Sequence, residues 1–193
     1  LPPFVPSPPA KPPLPPLSDC GFKVVSGGSS NGFYSVTGAA ETKLSVALRR
    51  GFNLAVLEPQ SLSVVEYRSW DTYNGKRGVW LNGVSQAPCT DSCGCASAMA
   101  AYISADLVSN YSGHVAMIAI HDEGSGCSET AYDALRPVLG SSYTKLKWMH
   151  RYALLSLIGS GAALAEAMGT AGYAEATAEW MHATCQSPPS PPP

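Results

Sequence analysis

Two apolar, β-rich runs lie side by side in residues 50–70, which read RGFNLAVLEPQSLSVVEYRSW. A short break containing Pro59 separates them, and this pattern is typical of a β-hairpin or a tight connection between two strands. Alternation places Leu54 and Val56 on one face of the first strand, with Phe52 as a third candidate. We expect the rest of the folded chain to cover this pair of strands.

The second run contains two adjacent valines, Val64 and Val65. Alternation cannot hold at this point, because neighbouring residues of a strand point to opposite faces. The second strand is therefore expected either to be buried on both faces or to carry a β-bulge.

The composition argues against several classes of function. The chain has 193 residues, enough for one domain with a hydrophobic core, and a net charge of −2 with 13% charged residues. So low a charge does not favour binding to nucleic acid or to an anionic membrane. No apolar run approaches the ~20 residues of a membrane-spanning helix, so no membrane insertion is expected in this segment.

Proline divides the chain into a body and two arms. Nine of the 17 prolines fall in residues 1–17 and five in residues 188–193. We predict a globular domain over residues 18–187 between two arms of polyproline II, of which the first would reach roughly 50 Å at ~3.1 Å per residue. The first arm has no basic start and no continuous apolar segment, so it does not resemble a signal peptide. The chain is expected to be processed, or to be a segment of a longer protein.

Three roles are open for the arms. They are stiff spacers, ligands for grooves that bind proline-rich segments, or glycosylated wall-protein segments. The third role rests on the Ser-Pro blocks at 7–9, 187–189 and 190–193, which resemble those of the hydroxyproline-rich glycoproteins of green algae and plants. This resemblance implies hydroxylated, O-glycosylated prolines, with candidates at Pro8, Pro9, Pro12, Pro13, Pro15, Pro16, Pro188, Pro189, Pro191, Pro192 and Pro193.

The cysteines indicate an oxidising, extracellular compartment. They are Cys20, Cys89, Cys93, Cys95, Cys127 and Cys185. An N-glycosylation sequon at Asn110 agrees with this setting. We expect a disulfide between Cys20 and Cys185, which bracket the body, and another from Cys127 to one of the three clustered cysteines.

A zinc site is the alternative use of the clustered cysteines. The cluster at 89–95 would need Cys127, His114 or His121 to complete it. Its spacing matches no common zinc pattern, and the extracellular signals oppose it, so no metal is expected.

The remaining pattern predicts short strands with a few helices. Strands are expected at 21–25, 33–37, 44–48, 115–120 and in the second half of 145–158, with an irregular stretch at 70–88. Helices are expected at 96–108, from Ser128 as N-cap to about Leu139 with Gly140 as the stop, and at 162–168 and 174–183. This mixture predicts an α+β domain with a sheet or sandwich core.

Several pieces in a fixed order resemble one known family. They are GFKVVSGG at 21–28, RGFNLAVL at 50–57, WDT at 70–72, the run at 115–120 followed by DE at 122–123, LGS at 139–141, and RYA at 151–153 leading to Gly159. Over about 21–159 the chain resembles the interleukin-like EMT inducer (ILEI) domain, also called the GG domain. It departs from the family in a cysteine-rich insertion around 88–95, in an alanine-rich extension after Gly159, and in the two arms.

The resemblance implies a compact β-sandwich of two sheets with flanking helices. It also implies an extracellular module that is not an enzyme by itself and needs no cofactor. Family members include secreted cytokine-like proteins, and the domain occurs in cell-surface hyaluronidases. It also occurs in the stem of an O-mannose N-acetylglucosaminyltransferase, where it binds carbohydrate. The departures leave a structural or a glycan-binding role open.

Two adjacent carboxylates, Asp122 and Glu123, follow a buried strand. Paired carboxylates can hydrolyse glycosides, but adjacent residues on an extended strand point to opposite faces. We therefore expect structural roles. Asp122 would cap a turn, and Glu123 or Asp71 would pair with one of the arginines Arg50 and Arg151.

A sugar site needs an exposed aromatic ring with polar groups beside it. The best such cluster lies in the irregular stretch, and its members are Trp80, Tyr73, Asn74, Asn82 and Asp71. Trp70 is expected in the core, and Trp148 and Trp180 are expected to be buried or at a packing interface.

Two functions are expected from these features. The first is a non-enzymatic structural module of a glycosylated, proline-rich cell-surface, cell-wall or appendage glycoprotein, which assembles into fibres through its proline arms. The second is a carbohydrate-binding, lectin-like module. The expected partners are other copies of the same glycoprotein, and glycans, but not nucleic acid.

Overall fold

The computed structural model describes residues 21–27, 32–37, 41–86, 88–170 and 174–181. The predicted arms at 1–17 and 188–193 lie outside these residues, and so do Cys20 and Cys185. Within the described ranges, no helix is both long enough and apolar enough to cross a membrane.

Two antiparallel sheets form the core of the fold. The smaller consists of β1 (Gly21–Ser26), β2 (Phe33–Thr37), β3 (Glu41–Lys43) and β11 (Ala176–Met181), in the order β11-β1-β2-β3. The larger consists of β4 (Gly51–Leu57), β5 (Val64–Trp70), β6 (Val79–Leu81), β7 (Val84–Ser85), β8 (Val115–His121), β9 (Arg151–Leu157) and β10 (Ala163–Gly169), in the order β10-β9-β8-β4-β5-β6-β7.

The predicted hairpin at 50–70 is confirmed as the antiparallel pair β4–β5. It contains the expected bulge, since Val56 pairs with Glu66 while Leu57 pairs with Val64. Val65 is therefore the extra residue, and it is 40% exposed.

Strand β4 is buried along its whole length and separates two hydrophobic cores. Phe52, Leu54 and Val56 face the helices, whereas Ala55 and Leu57 face the smaller sheet. The alternation expected from the sequence is confirmed, and it accounts for a three-layer arrangement of sheet, sheet and helices.

The helices cover the outer face of the larger sheet. They are α1 (Ser92–Ala101), a π-helical segment (Tyr102–Leu107), α2 (Val108–Tyr111) and α3 (Ser128–Leu139). The helix predicted at 96–108 is confirmed but begins earlier, where the Asp91 carboxylate accepts a hydrogen bond from the amide of Gly94 (2.7 Å).

The expected cap at Ser128 was wrong. Cys127 occupies the N-cap position, and the Ser128 hydroxyl bonds both the amide and the carbonyl of Leu146. The stop at Gly140 is confirmed, since this residue has φ +72° and its amide donates to the carbonyl of Arg136.

The two helices predicted in the alanine-rich segment were also wrong. Strand β10 pairs with β9, and β11 pairs with β1. Alanine has a high helix propensity but gives no contrast between faces, so pairing with distant strands decides the conformation.

Two further expectations need correction. The segment 44–49 has no strand pairing, although Leu44, Val46 and Leu48 pack on the core between the sheets. The stretch 70–88 is not wholly irregular, because β6 and β7 form a small hairpin. Its turn is Asn82-Gly83, with φ of +48° and +83°.

The pairing pattern brings three distant loops to one end of the larger sheet. Strands β5 and β8 both run antiparallel to β4, so both end beside the start of β4. Strand β9 runs antiparallel to β8 and therefore begins there. The loops at 71–78, 122–127 and 140–150 consequently lie close together.

Candidate functional site

A shallow depression of about 170 Å³ lies where these three loops meet. We call it the aromatic depression and define it by Tyr73, Asp122, Glu123, Trp148 and Met149. Each loop contributes at least one of these residues.

An arginine fixes the loop that carries Tyr73. Arg50 Nε and Nη2 donate to Asp71 Oδ1 and Oδ2 (3.0 and 2.8 Å), and Nη2 also donates to Asn74 Oδ1 (2.8 Å). The Arg50 guanidinium carbon also lies 5.0 Å from the centre of the Tyr73 ring. Ion pairing between Asp71 and Arg50 was among the roles expected from the sequence.

Both carboxylate oxygens of Asp71 accept hydrogen bonds from Arg50, and the Asp71 side chain is almost fully buried. Burial raises the pKa of the Asp71 carboxyl, but the Arg50 hydrogen bond, the Arg77 amide and the Arg50 charge together leave the pKa below its ordinary value of 3.8. The hydrogen bond to Asp71 raises the pKa of Arg50. The pair is therefore charged at neutral pH, and Asp71 is not free to bind a ligand.

A buried carboxylate ties the other two loops together. Glu123 Oε1 accepts the amides of Gly124 and Ser125 (2.9 and 2.7 Å), and Oε2 accepts the amide of Met149 (2.9 Å). Because both oxygens are engaged by backbone amides, Glu123 positions the Trp148–Met149 turn rather than facing a ligand.

Asp122 differs from its neighbour. Its side chain is exposed, and within the described part of the chain no hydrogen bond is made by its carboxylate. Asp122 and Met149 have φ of +61° and +62°, a left-handed conformation that aspartate adopts more readily than methionine.

A disulfide holds the 122–127 loop against the helical layer. Cys93, near the start of α1, bonds Cys127, and Cys89 bonds Cys95. The sequence left the partner of Cys127 open among three cysteines, and the structure selects Cys93. At Gly126, an added Cβ would lie 2.3 Å from the carbonyl oxygen of Thr72, so only glycine fits this close approach.

Two aromatic rings remain accessible in the depression. Trp148 is 67% exposed and Tyr73 is 43% exposed. Trp148 is therefore not buried within this chain, and the alternative expectation, that it lies at a packing interface, stays a prediction. Trp70 is a core residue as expected, at 1% exposure. Trp180 stacks on Phe22, with ring centres 5.9 Å apart.

A second concavity, of about 440 Å³, lies on the side of the sandwich. We call it the side groove, and it is lined by Leu44, Val46, Arg49, Val64, Tyr67 and Asn82, among others. Arg49 forms one wall, with its guanidinium carbon 3.4 Å from the centre of the Trp80 ring. The Asn82 side chain accepts the Tyr67 amide (2.8 Å).

The structure separates the five residues proposed from sequence as a sugar site. Tyr73 lies in the aromatic depression, and Asp71 and Asn74 lie behind it as partners of Arg50. Trp80 and Asn82 belong to the neighbourhood of the side groove. The sequon residue Asn110 is exposed near the end of α2, where its glycosylation stays a prediction.

Sequence reasoning missed Trp148 and Met149 in the depression and Asn53 beside the groove. Asn53 is fully buried and holds the backbone of Arg49 through its side-chain oxygen and nitrogen (2.7 and 2.6 Å). A signal for Asn53 exists, because it is the one polar side chain within the apolar run 51–57. Nothing in the sequence distinguishes the exposed Trp148 from a core tryptophan.

The chemistry available in the depression is binding by ring faces and one carboxylate. The Asp122–Glu123 pair does not provide two free carboxylates, since Glu123 is fully engaged. The cysteines considered as zinc ligands are consumed in the two disulfides. Among the residues that the structure describes, no group of three or more His, Cys, Asp or Glu side chains is arranged to hold a metal ion.

Comparison with known proteins agrees with this architecture. No curated protein matches the chain. The model of one family, described as interleukin-like EMT inducer, matches residues 50–160. This match covers more than half of the 193 residues, from the start of β4 through the end of β9, and includes every residue of the aromatic depression. The chain therefore belongs to the interleukin-like EMT inducer family, an extracellular type of domain.

Proposed function

We propose that this protein is a non-enzymatic extracellular module that binds carbohydrate at the aromatic depression. The observation that carries the proposal is the exposed Trp148 ring, which lines the depression together with the exposed Tyr73 ring and the exposed Asp122 carboxylate. Sugar rings pair apolar C–H faces with a rim of hydroxyl groups. Aromatic rings bind the C–H faces, and a carboxylate accepts hydrogen bonds from the hydroxyl groups.

The construction of the depression supports a binding role. Arg50 and Glu123 fix the loops from behind, and the Cys93–Cys127 disulfide restrains the third side. A site whose polar support is satisfied internally needs little reordering when a ligand arrives. Because the free carboxylate repels acidic sugars, we expect a neutral sugar, and the small volume favours a terminal unit rather than a long chain.

A glycan array probed with the full chain tests this proposal. We expect binding to neutral terminal sugars, and Trp148→Ala should weaken it by at least ~10-fold, since loss of a ring contact of ~1.4 kcal/mol is one decade in affinity. Asp122→Asn should weaken binding less, because the amide oxygen still accepts a hydrogen bond.

Trp80→Ala is the matched control for Trp148→Ala. Both substitutions remove an indole, but Trp80 lies beside the side groove and its Nε1 donates to the carbonyl of Arg77. Equal losses from the two variants would reject the site. Absence of binding to any neutral glycan would reject the function.

A second candidate is a structural module in a proline-rich, glycosylated surface protein that assembles into fibres. One observation favours it, namely that Gly21 and Met181 are paired neighbours in the smaller sheet. The chain thus enters and leaves the described body at adjacent points, so the proline-rich arms would start side by side. Both arms would then be attached to the same end of the body rather than to opposite ends.

The disulfide expected between Cys20 and Cys185 would lock this arrangement. The pairing of Gly21 with Met181, the described residues nearest to these two cysteines, supports such a bridge. Peptide mapping of non-reduced protein tests it. A linked pair of peptides carrying Cys20 and Cys185 is expected, whereas free thiols at both positions would remove the proposed lock.

A further inference from the structure

We infer that the side groove binds the proline-rich segment 12–17 of a second copy of this chain. The inference rests on the structural role proposed above as the second candidate, to which it adds a docking surface. It does not involve the aromatic depression.

The groove offers apolar walls and hydrogen-bond donors. Leu44, Val46 and Val64 are only partly buried by the core beneath them. The Arg49 Nε–H is buried and has no hydrogen-bond partner among the described residues. The Asn82 side chain uses its oxygen on the Tyr67 amide, which leaves its NH₂ group for another acceptor.

A buried donor without a partner is costly, and a ligand carbonyl in the groove satisfies the Arg49 Nε–H only when the Arg49 side chain turns to expose it. The residues that line the groove include no carboxylate that could do so. The ligand that fits is therefore an apolar segment that is rich in carbonyl acceptors and poor in donors.

The segment 12–17 of this chain has these properties when its four prolines carry no hydroxyl group or glycan. It reads PPLPPL, and the four prolines present carbonyl oxygens without an N–H. In polyproline II, with three residues per turn and ~3.1 Å per residue, Leu14 and Leu17 lie on one edge about 9 Å apart. The segment carries no charge, since Lys11 precedes it. Two leucines on one edge match a groove with aliphatic walls, and the carbonyls match Arg49 and Asn82.

The direction of β1 favours a second copy over the same chain. The Ser26 hydroxyl donates to the carbonyl of Ile120 (2.5 Å), so the end of β1 lies near the aromatic depression and Gly21 lies at the opposite end. The chain enters the body there. To return to its own groove, a proline-dense arm would have to reverse within residues 18–20. An arm of roughly 50 Å reaches a neighbouring molecule without that reversal.

Photo-crosslinking on the full chain tests the contact. Leu14→p-benzoylphenylalanine is introduced in unlabelled protein, which is mixed with ¹⁵N-labelled protein and irradiated. We expect heavy–light crosslinks between position 14 and the peptides that contain residues 44–49 or 64–67. Crosslinks within a single copy, or at other surfaces, overturn the inference.

Sedimentation velocity supplies the energetic test. The wild-type chain is expected to self-associate, and the double variant Leu14→Asp with Leu17→Asp, which leaves the folded body intact, should weaken association at least tenfold. Val46→Asp in the groove should have a similar effect, and combining it with the arm variant should add little. Ala98→Asp, on the exposed face of α1, is the matched control and should change nothing.

These outcomes separate the groove from the broader structural role. Assembly that persists with crosslinks elsewhere overturns the groove but not the fibre-forming role. A chain that stays monomeric at every concentration and gives no heavy–light crosslink overturns both. Neither result bears on the glycan-binding proposal, which is tested separately by the glycan array with the Trp148→Ala variant.

Discussion

Two consecutive arginines serve the two concave surfaces of this molecule in opposite ways. Arg50 is fully engaged, with a two-pronged ion pair to Asp71 and a bond to Asn74 behind the aromatic depression. Arg49 stacks on Trp80 and leaves its Nε–H without a partner in the described part of the chain. Behind the aromatic depression, the polar groups satisfy one another and the rings are exposed. Beside the side groove, the Arg49 Nε–H lacks an acceptor among the described residues. The two surfaces are therefore suited to different ligands.

The largest expected effect comes from removing Arg50. Arg50→Ala leaves the Asp71 carboxylate buried without its cation, which should cost about 3 kcal/mol of unfolding free energy in urea titrations. Arg49→Ala is the neighbouring control and should cost about 1 kcal/mol or less, since it loses a stacking contact but no buried charge partner. Equal losses for the two variants would contradict the contrast between the surfaces.

The second-largest loss of unfolding free energy is expected from removing the Cys93–Cys127 disulfide. Cys93→Ser combined with Cys127→Ser opens a loop of 34 residues and is expected to cost about 2–4 kcal/mol. Hydrogen exchange should show faster exchange in the 122–127 loop, while the 44–49 segment keeps its protection. Equal acceleration in both segments would mean that the disulfide stabilises the body as a whole.

A smaller effect is expected at the side groove. Tyr67→Phe removes a hydroxyl that donates to the carbonyl of Ala47 and lies 2.9 Å from Asn53 Oδ1. Leaving the Ala47 carbonyl without this donor should cost about 1–2 kcal/mol, while Asn53 Oδ1 still accepts the Arg49 amide. In the same exchange experiment the 44–49 segment should now lose protection and the 122–127 loop should not. Unchanged exchange at 44–49 would show that Tyr67 does not hold this wall.

The pH dependence should also differ between the two surfaces. The folded-state pKa of Asp71 lies below 3.8, so its stabilisation is present above that pH and is lost as the pH falls through the folded value. Burial raises the pKa of Tyr67 to about 12, so its contribution is complete below pH 10 and is lost between pH 10 and about 12.

Variants can assign these two pH windows. Asp71→Asn should make the acid limb of a stability profile less steep, and Tyr67→Phe should do the same to the alkaline limb. Neither limb should vanish, because the pKa of Glu66 is also lowered and the pKa values of other buried tyrosines, such as Tyr152, are also raised. The measurement is the urea midpoint as a function of pH. An acid limb that is unchanged in Asp71→Asn would place the acid sensitivity on another carboxylate.

Much of the fold could be predicted from local sequence patterns. The alternation of Phe52, Leu54 and Val56 reports which face is buried, and Val64-Val65 marks the bulge, because both features are local. The strands at 163–169 and 176–181 could not be predicted, since alanine-rich segments give no periodic signal and their pairing partners are distant in sequence.

The sites were predicted less well than the fold. Tyr73 and Trp80 are near one another in sequence and were grouped, but Tyr73 lines the aromatic depression whereas Trp80 stacks on Arg49 beside the side groove. The depression forms because β5, β8 and β9 have ends at one edge of a sheet, which is a property of topology. Exposure of Trp148 follows from the turn that Glu123 fixes, and local sequence does not encode that contact.

The most direct test of two separate surfaces is an NMR titration of one protein with both ligands. The sample is the ¹⁵N-labelled full chain with Leu14→Asp and Leu17→Asp, which should be monomeric. It is titrated first with the neutral sugar that binds best on the array, and separately with a peptide of residues 1–17. We predict amide shifts at 73, 122, 148 and 149 for the sugar, and at 44–49, 64–67 and 82 for the peptide. Shifts of the same set of amides by both ligands, or sugar-induced shifts confined to the side groove, would contradict the account.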